Sequence, residues 1–127
     1  MNKNNFSLEE TWKRYIASGN IHGLDLDPLI HKSWSRCLEK KIEPNSINRD
    51  HVISQVGLRE RTEKNTFLLQ ATHFAVEKFY SFLKGSNSVL FLVDADGYIL
   101  YMIGDSMIIT ETKRVNLIKG ANWREDV

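Results

Sequence analysis

An α+β fold, in which helices lead into one β-hairpin, is what this sequence predicts, and three observations carry the prediction. The stretch Val89 to Gly104, VLFLVDADGYILYMIG, is the only good hairpin signal: two apolar, aromatic and β-branched runs flank Asp94-Ala95-Asp96-Gly97, and Asp-Gly is a preferred pair for a tight turn needing positive φ. Everything before it carries helix punctuation and helical spacing. Only a short tail follows it, so the sheet is expected to be incomplete, with N-terminal helices and a long helix packed on the hairpin.

Each element has its own signal. Ser7-Leu8-Glu9-Glu10 reads as a capping box, Trp12, Tyr15 and Ile16 as the buried stripe of a first helix to about Ala17, and Gly19 as its stop. Ile21 to Leu26 is a connector. Asp27-Pro28 starts a second helix, which runs to about Lys40 with Leu29, Ile30, Trp34, Cys37 and Leu38 on its apolar face. Pro44 then breaks the chain, because the residue before a proline disfavours the α region. From about Asn48 to Lys84 the pattern predicts one long helix or two end to end, with Gly57 as a joint; Val52, Ile53 and Val56 belong to the first half. Leu68, Ala71, Ala75, Phe79 and Phe82 form the packed stripe of the second half, and the run Arg59 to Thr66 is too polar to be core. After the hairpin, Met107 to Leu117 is expected as helix, although Met107 to Thr110 also suits a strand, and the residues from Ala121 on are a loop. Two segments are expected, 1–47 helical and 48–127 carrying the hairpin.

Composition narrows the function classes. At 127 residues, 42% hydrophobic and 26% charged, the chain is that of an ordinary globular protein of one domain or part of one. Seventeen basic against sixteen acidic residues leave a net charge of +1, with no surplus to neutralise phosphates, so nucleic-acid binding by this segment is disfavoured. One cysteine allows no internal disulfide, the N-terminus has no secretory apolar run, and no apolar stretch reaches the roughly 18 residues that span a bilayer. A cytoplasmic protein without a membrane segment is expected.

The residues capable of chemistry read mostly as structure. His22, His31, His51 and His73 show no metal spacing, and Cys37 on the apolar face of its helix behaves as a small hydrophobe. Asp94, Asp96 and Asp105 imitate a calcium loop in the wrong register, since Gly97 follows the second aspartate directly and the twelfth position is Asp105 rather than a glutamate. Turn aspartates bonding local amides are the simpler account. No phosphate-binding loop, acid/base pair or nucleophile arrangement stands out, so neither a cofactor nor an enzymatic activity is expected. Alternation along the second strand sets Tyr98, Leu100 and Met102 on one face and Ile99, Tyr101 and Ile103 on the other. One face should meet the helices and the other a covering loop or a ligand. Tyr101, Ile103 and Trp123 are the candidate effector-pocket residues.

Several stretches together resemble the N-terminal sensory region of bacterial sigma-54-dependent transcriptional activators of the acetoin and glycerol catabolism regulator type. Ile30 to Cys37 is similar to that family's I-x-x-S-W-x-R-C element through Ser33, Trp34, Arg36 and Cys37. Val93 to Leu100 is similar to its L-x-D-x-x-G-x-I-L hairpin through Asp94 and Gly97, and Gly120 to Glu125 to its G-x-x-W-x-E through Gly120, Trp123 and Glu125. The resemblance implies a GAF/PAS-like sheet whose later strands lie beyond Val127. It also implies that any action on sigma-54 RNA polymerase or DNA passes through domains absent from this chain. An isolated hairpin leaves unpaired edges and is marginal, which predicts a homodimer. Two functions follow as expectations: a regulatory module that senses a small effector or sets dimer geometry, and a helical dimerisation protein with no ligand.

Overall fold

The computed structural model describes residues 7–46 and 51–124, which divide into two compact units, one for each range. In the first unit, α1 (Leu8–Ser18) begins with the expected capping box: Ser7 Oγ accepts from the Glu10 amide and Glu10 Oε2 accepts from the Ser7 amide. Gly19, at φ 63°, ends it. Asp27 caps α2 (Pro28–Glu39) by accepting from the Leu29 amide at 2.8 Å. The two helices meet through rings: Trp34 lies 5.1 Å from Trp12 and 5.0 Å from Tyr15, centroid to centroid. This contact moves the buried stripe. Thr11 and Tyr15, one turn apart, are buried, whereas Ile16 and Leu29, expected inside, are exposed. Burial, with smaller contributions from Cys37 and Glu43, raises the Tyr15 hydroxyl pKa above its ordinary value.

The second unit contains α3 (Gln55–Lys64), α4 (Thr66–Leu83), β1 (Val89–Val93), β2 (Ile99–Gly104) and α5 (Ser106–Arg114). Two helices stand where one or two were expected, and the joint is Asn65 at φ −104° rather than Gly57. Gly57 lies inside the first turn of α3, its amide donating to the Ser54 cap. Val52 and Ile53, expected as helix, are extended instead: Ser54 starts the helix after them, and their β-branched side chains suit a strand.

The hairpin is antiparallel, pairing Val89 with Gly104 and Leu92 with Tyr101, but Val93 pairs with Ile99. Leu100 is therefore an extra residue on β2, a bulge that interrupts strict alternation, and both Ile99 and Leu100 are buried. The outer edge of β2 is covered. Ile99 exchanges backbone hydrogen bonds with Gly120 and Ala121, Asn122 bridges Tyr98, and Val52 bridges Ala121 on the far side. Residues 120–122, expected as loop, thus act as a short third strand, and residues 51–53 as a fourth. They answer locally the edge problem of a two-stranded sheet.

α4 packs on β1 and β2 through a stripe other than the one expected. Leu69, Thr72, Val76, Tyr80 and Leu83 are half-buried; of the expected stripe Leu68 is half-buried too, while Ala71, Ala75, Phe79 and Phe82 are exposed. The helix carries apolar residues on two sides, so spacing alone selects either stripe. Between Met107 and Thr110 the helical alternative holds, and α5 ends at Arg114.

Asp105 precedes α5 without capping it by its side chain. Its carboxylate turns back to accept from the Tyr80 hydroxyl (2.6 Å) and from the amides of Gly85 and Asn87 (2.9 Å), joining the end of α4, the loop into β1 and the exit of β2. The Tyr80 hydrogen bond foremost, then the Gly85 amide, hold its pKa below the ordinary 3.8. A carboxylate with a depressed folded pKa contributes stability that is present above its unfolded pKa and lost as pH falls through the folded one.

Two measurements follow. At Gly97 (φ +87°) an added Cβ would stand 2.5 Å from Arg124 Cγ and 3.0 Å from Asn122 Oδ1, whereas at Gly85 (φ +84°) nothing lies within 4 Å. Gly97→Ala is expected to cost about 2–3 kcal/mol in urea unfolding and Gly85→Ala about 1–2, the second reflecting left-handed strain alone. Equal costs would show that segment 122–124 gives way freely. In an acid series, the stability of the wild type should fall below pH ~4, and Asp105→Asn should flatten that fall. An unchanged slope would assign the acid sensitivity to other carboxylates.

Candidate functional site

Two features of the second unit border the hairpin, one at its turn and one along its face. At the turn, Arg61 projects from the polar helix α3. Its Nη1 donates to Asp94 Oδ2 and to Asp96 Oδ2, both at 2.8 Å, while its guanidinium carbon lies 3.9 Å from the centroid of the Tyr98 ring. Asp94 accepts with its other oxygen from the amides of Asp96 (2.9 Å) and Tyr98 (3.0 Å). Asp94 thus accepts three hydrogen bonds, two from turn amides and one from Arg61, and its side chain is 4% exposed against 66% for Asp96. The hydrogen bond and charge of Arg61 lower the Asp96 pKa, and Asp96, then Asp94, raise that of Arg61. Two carboxylates on one guanidinium, with Asp94 also turned to backbone amides, form a clamp and not an acid/base pair. As expected from the sequence, Asp94 serves turn chemistry, whereas the Asp96 side chain bonds Arg61 and that of Asp105 bonds Tyr80 and the distant amides of Gly85 and Asn87. The role of Arg61 in the run Arg59 to Thr66 had no local signal, because its partners lie 33 and 35 positions away.

Along the hairpin face, α4 and the strands border an open groove of ≈ 390 Å³ lined by Leu69, Gln70, Thr72, His73, Val76, Leu92 and Tyr101. Its wall is apolar, with the tips of Gln70, Thr72, His73 and Tyr101 as polar points. The Tyr101 ring has two neighbours that carry nitrogen, the His73 ring at 6.2 Å between centroids and the Lys119 ammonium at 5.6 Å. An apolar wall with a few polar points suits a small organic molecule rather than a free ion. Among the described residues, no three His, Cys, Asp or Glu side chains gather where a metal ion could be held.

The three expected pocket residues do not line one cavity. Tyr101 lines this groove. Ile103 lines a separate depression of ≈ 440 Å³ with Met102, Ile109 and Ile118, and Trp123 lines neither. Trp123 is half exposed; its amide donates to the Gly97 carbonyl at 2.9 Å, and its indole N–H reaches the Asn116 carbonyl at 3.5 Å. One face of β2 does not make one pocket, because α4 and the segment after α5 cover different parts of the hairpin.

The motif residues fall on both units. Ser33, Trp34 and Cys37 are half-buried on α2 and Arg36 is exposed there. Asp94 and Gly97 form the turn, and buried Gly120 (φ +85°) lets the third strand pass beside Ile53. Glu125 lies outside the described residues.

With these motifs placed, the comparisons with known proteins become informative. The chain is 30% identical over 116 residues to the acetoin dehydrogenase operon transcriptional activator AcoR of Bacillus subtilis (strain 168), covering 91% of this chain and 19% of that protein. It is homologous to the N-terminal region of the sigma-54-dependent activators. A signal-transduction and transcriptional-control protein of Clostridium beijerinckii is 31% identical over 102 residues, 76% of this chain and 15% of its own length. The E. coli DhaR(N) in its crystallised complex with DhaL shares the α+β fold at TM-score 0.73 and 23% identity, over 80% of this chain and 34% of that one. The chain spans less than a fifth of the two curated relatives. No protein-family model matches it. The homology is to a regulatory region and not to a catalytic domain.

The clamp yields a ranking. Asp94→Ala strands two backbone amides and one side of Arg61, and should destabilise by about 1–3 kcal/mol. Asp96→Ala should cost much less, because that carboxylate is largely in water. Chemical denaturation of both variants measures the order, and a larger loss at Asp96 would show that the clamp is held from its exposed side.

Proposed function

We propose that this segment is the signal-receiving part of a bacterial transcriptional activator. Its GAF-type fold binds a small effector, or sets the geometry of a homodimer, and so controls an ATPase module that engages sigma-54 RNA polymerase. The observation that carries this reading is the match to AcoR over nine-tenths of the chain, with the S-W-x-R-C helix, the D-x-x-G turn and Gly120-x-x-Trp123 all inside the described fold. The α4 groove supports the effector arm, with Tyr101 as the residue an effector would touch. Ile103 and Trp123 border the hairpin beyond it and would respond through β2 and the turn. Action on RNA polymerase and DNA belongs to the parts of an activator outside this sequence, and the cytoplasm is the compartment such an activator works in. A protein signal is the second reading, favoured because DhaR(N) was crystallised with DhaL.

A thermal-shift screen of small metabolites against the full chain tests the effector arm. A binding metabolite should raise the melting temperature of the wild type and lose its effect in Val76→Trp, which fills the groove. A shift undiminished in Val76→Trp would move the site elsewhere, and a screen without hits would favour the protein signal.

A further inference from the structure

α4 is clothed in apolar residues on the side turned away from the sheet as well as on the side facing it. Phe67, Phe74 and Phe82 are 86%, 75% and 77% exposed. Together with Ala71, Ala75 and Lys78 they fall within about 100° of helix circumference at 3.6 residues per turn. The Lys78 ammonium lies 6.0 Å from the Phe74 ring centroid, so its alkyl stem runs along this stripe while its charge stays in water.

The spacing of the stripe, though not its residue order, is symmetric about the point between residues 74 and 75. An antiparallel copy centred between residues 74 and 75 sets Phe67 against the partner's Phe82, Ala71 against the partner's Lys78, and Phe74 against the partner's Ala75. Each large side chain at the centre meets a small one, which lets helices approach to the 8–10 Å of close packing. The ends close ring on ring. Such a self-complementary face is what a two-fold dimer requires. The area also suffices. Three phenylalanines of roughly 150–250 Å² each, three-quarters exposed, with the flanking alanines and the lysine stem, offer about 500–600 Å² per copy, or about 1,000–1,200 Å² for the pair, the lower end of specific interfaces.

We propose that the outer stripe of α4 is the homodimer interface and that two copies pair there as antiparallel helices with Phe74 and the partner's Ala75 at the two-fold axis. This rests on the dimer arm of the functional reading and names its surface. The same exposure that leaves the stripe free makes its substitutions tolerable to the fold, which circular dichroism and melting of each variant would verify.

Light scattering on eluting protein at micromolar concentration, with the full chain, tests it. The wild type should run as a dimer, and Phe74→Glu and Ala75→Lys should each be monomeric. Mixing those two variants should restore a heterodimer, because antiparallel pairing sets the glutamate against the lysine. A wild type that stays monomeric overturns the dimer arm altogether. A dimer that persists in Phe74→Glu overturns this face and leaves the dimer arm standing. Rescue by mixing Phe67→Glu with Phe67→Lys, positions that antiparallel pairing holds about 22 Å apart along the axis at 1.5 Å per residue, would overturn the antiparallel register.

Discussion

The guanidinium of Arg61 is the contact on which the second unit most depends. α3 has no apolar stripe with which to dock, so its attachment to the hairpin is ionic and aromatic: one nitrogen serves two aspartates and the plane covers Tyr98. Because Asp94 simultaneously shapes the turn through two amides, a single carboxylate fixes both the hairpin's end and the helix that crosses it. Arginine suits this place better than lysine, since its planar fork can lie on a ring while its edge donates. The turn positions Gly97, and Gly97 in turn accepts the backbone of Trp123. The covering of the sheet edge therefore follows from the clamp.

That covering is economical in chain. Residues 120–122 stand between β2 and residues 51–53, so two segments nearly seventy positions apart in sequence complete four antiparallel rows. Gly120 makes the passage possible: it is buried, its amide donates to Ile99, and its carbonyl accepts from Ile53. A bulge at Leu100 turns two successive side chains inward just where this third row begins, so that Ile99, Leu100 and Ala121 are the buried apolar residues of this unit. The core is small among the described residues, and it sits at the closed end of the sheet; toward the other end α4 covers the strands with half-buried residues only.

Much of the fold was legible because its punctuation is local. Ser7 with Glu10, Asp27 with Pro28, and Asp96 with Gly97 each act within a few residues, and each stands where spacing and backbone preference place it. What was not legible depends on partners far along the chain. Val52 and Ile53 read as helix until Ala121 is seen beside them, Asp105 reads as one more turn aspartate until Tyr80 and Gly85 claim it, and Arg61 reads as part of a polar run until Asp94 claims it. The candidate site shares this division. Alternation points to Tyr101, but the groove it borders needs His73 and Val76 from α4, and Ile103, on the same face of β2, lines a different depression.

The stripe chosen for α4 shows why periodicity has a limit. A helix with one apolar side announces its burial, whereas α4 has an inner row through Leu69, Val76 and Leu83 and an outer row through Phe67, Phe74 and Phe82, both at intervals of seven or eight. The inner row is the less bulky, and this is consistent with what it meets: Leu92 and Tyr101 on the hairpin already fill part of the space, and larger side chains would lift the helix off the strands. The larger rings are on the outside, where a monomer gains nothing from them and loses solubility. A sequence that places its bulkiest apolar groups there, at positions spaced symmetrically about residues 74 and 75, offers a surface beyond its own core.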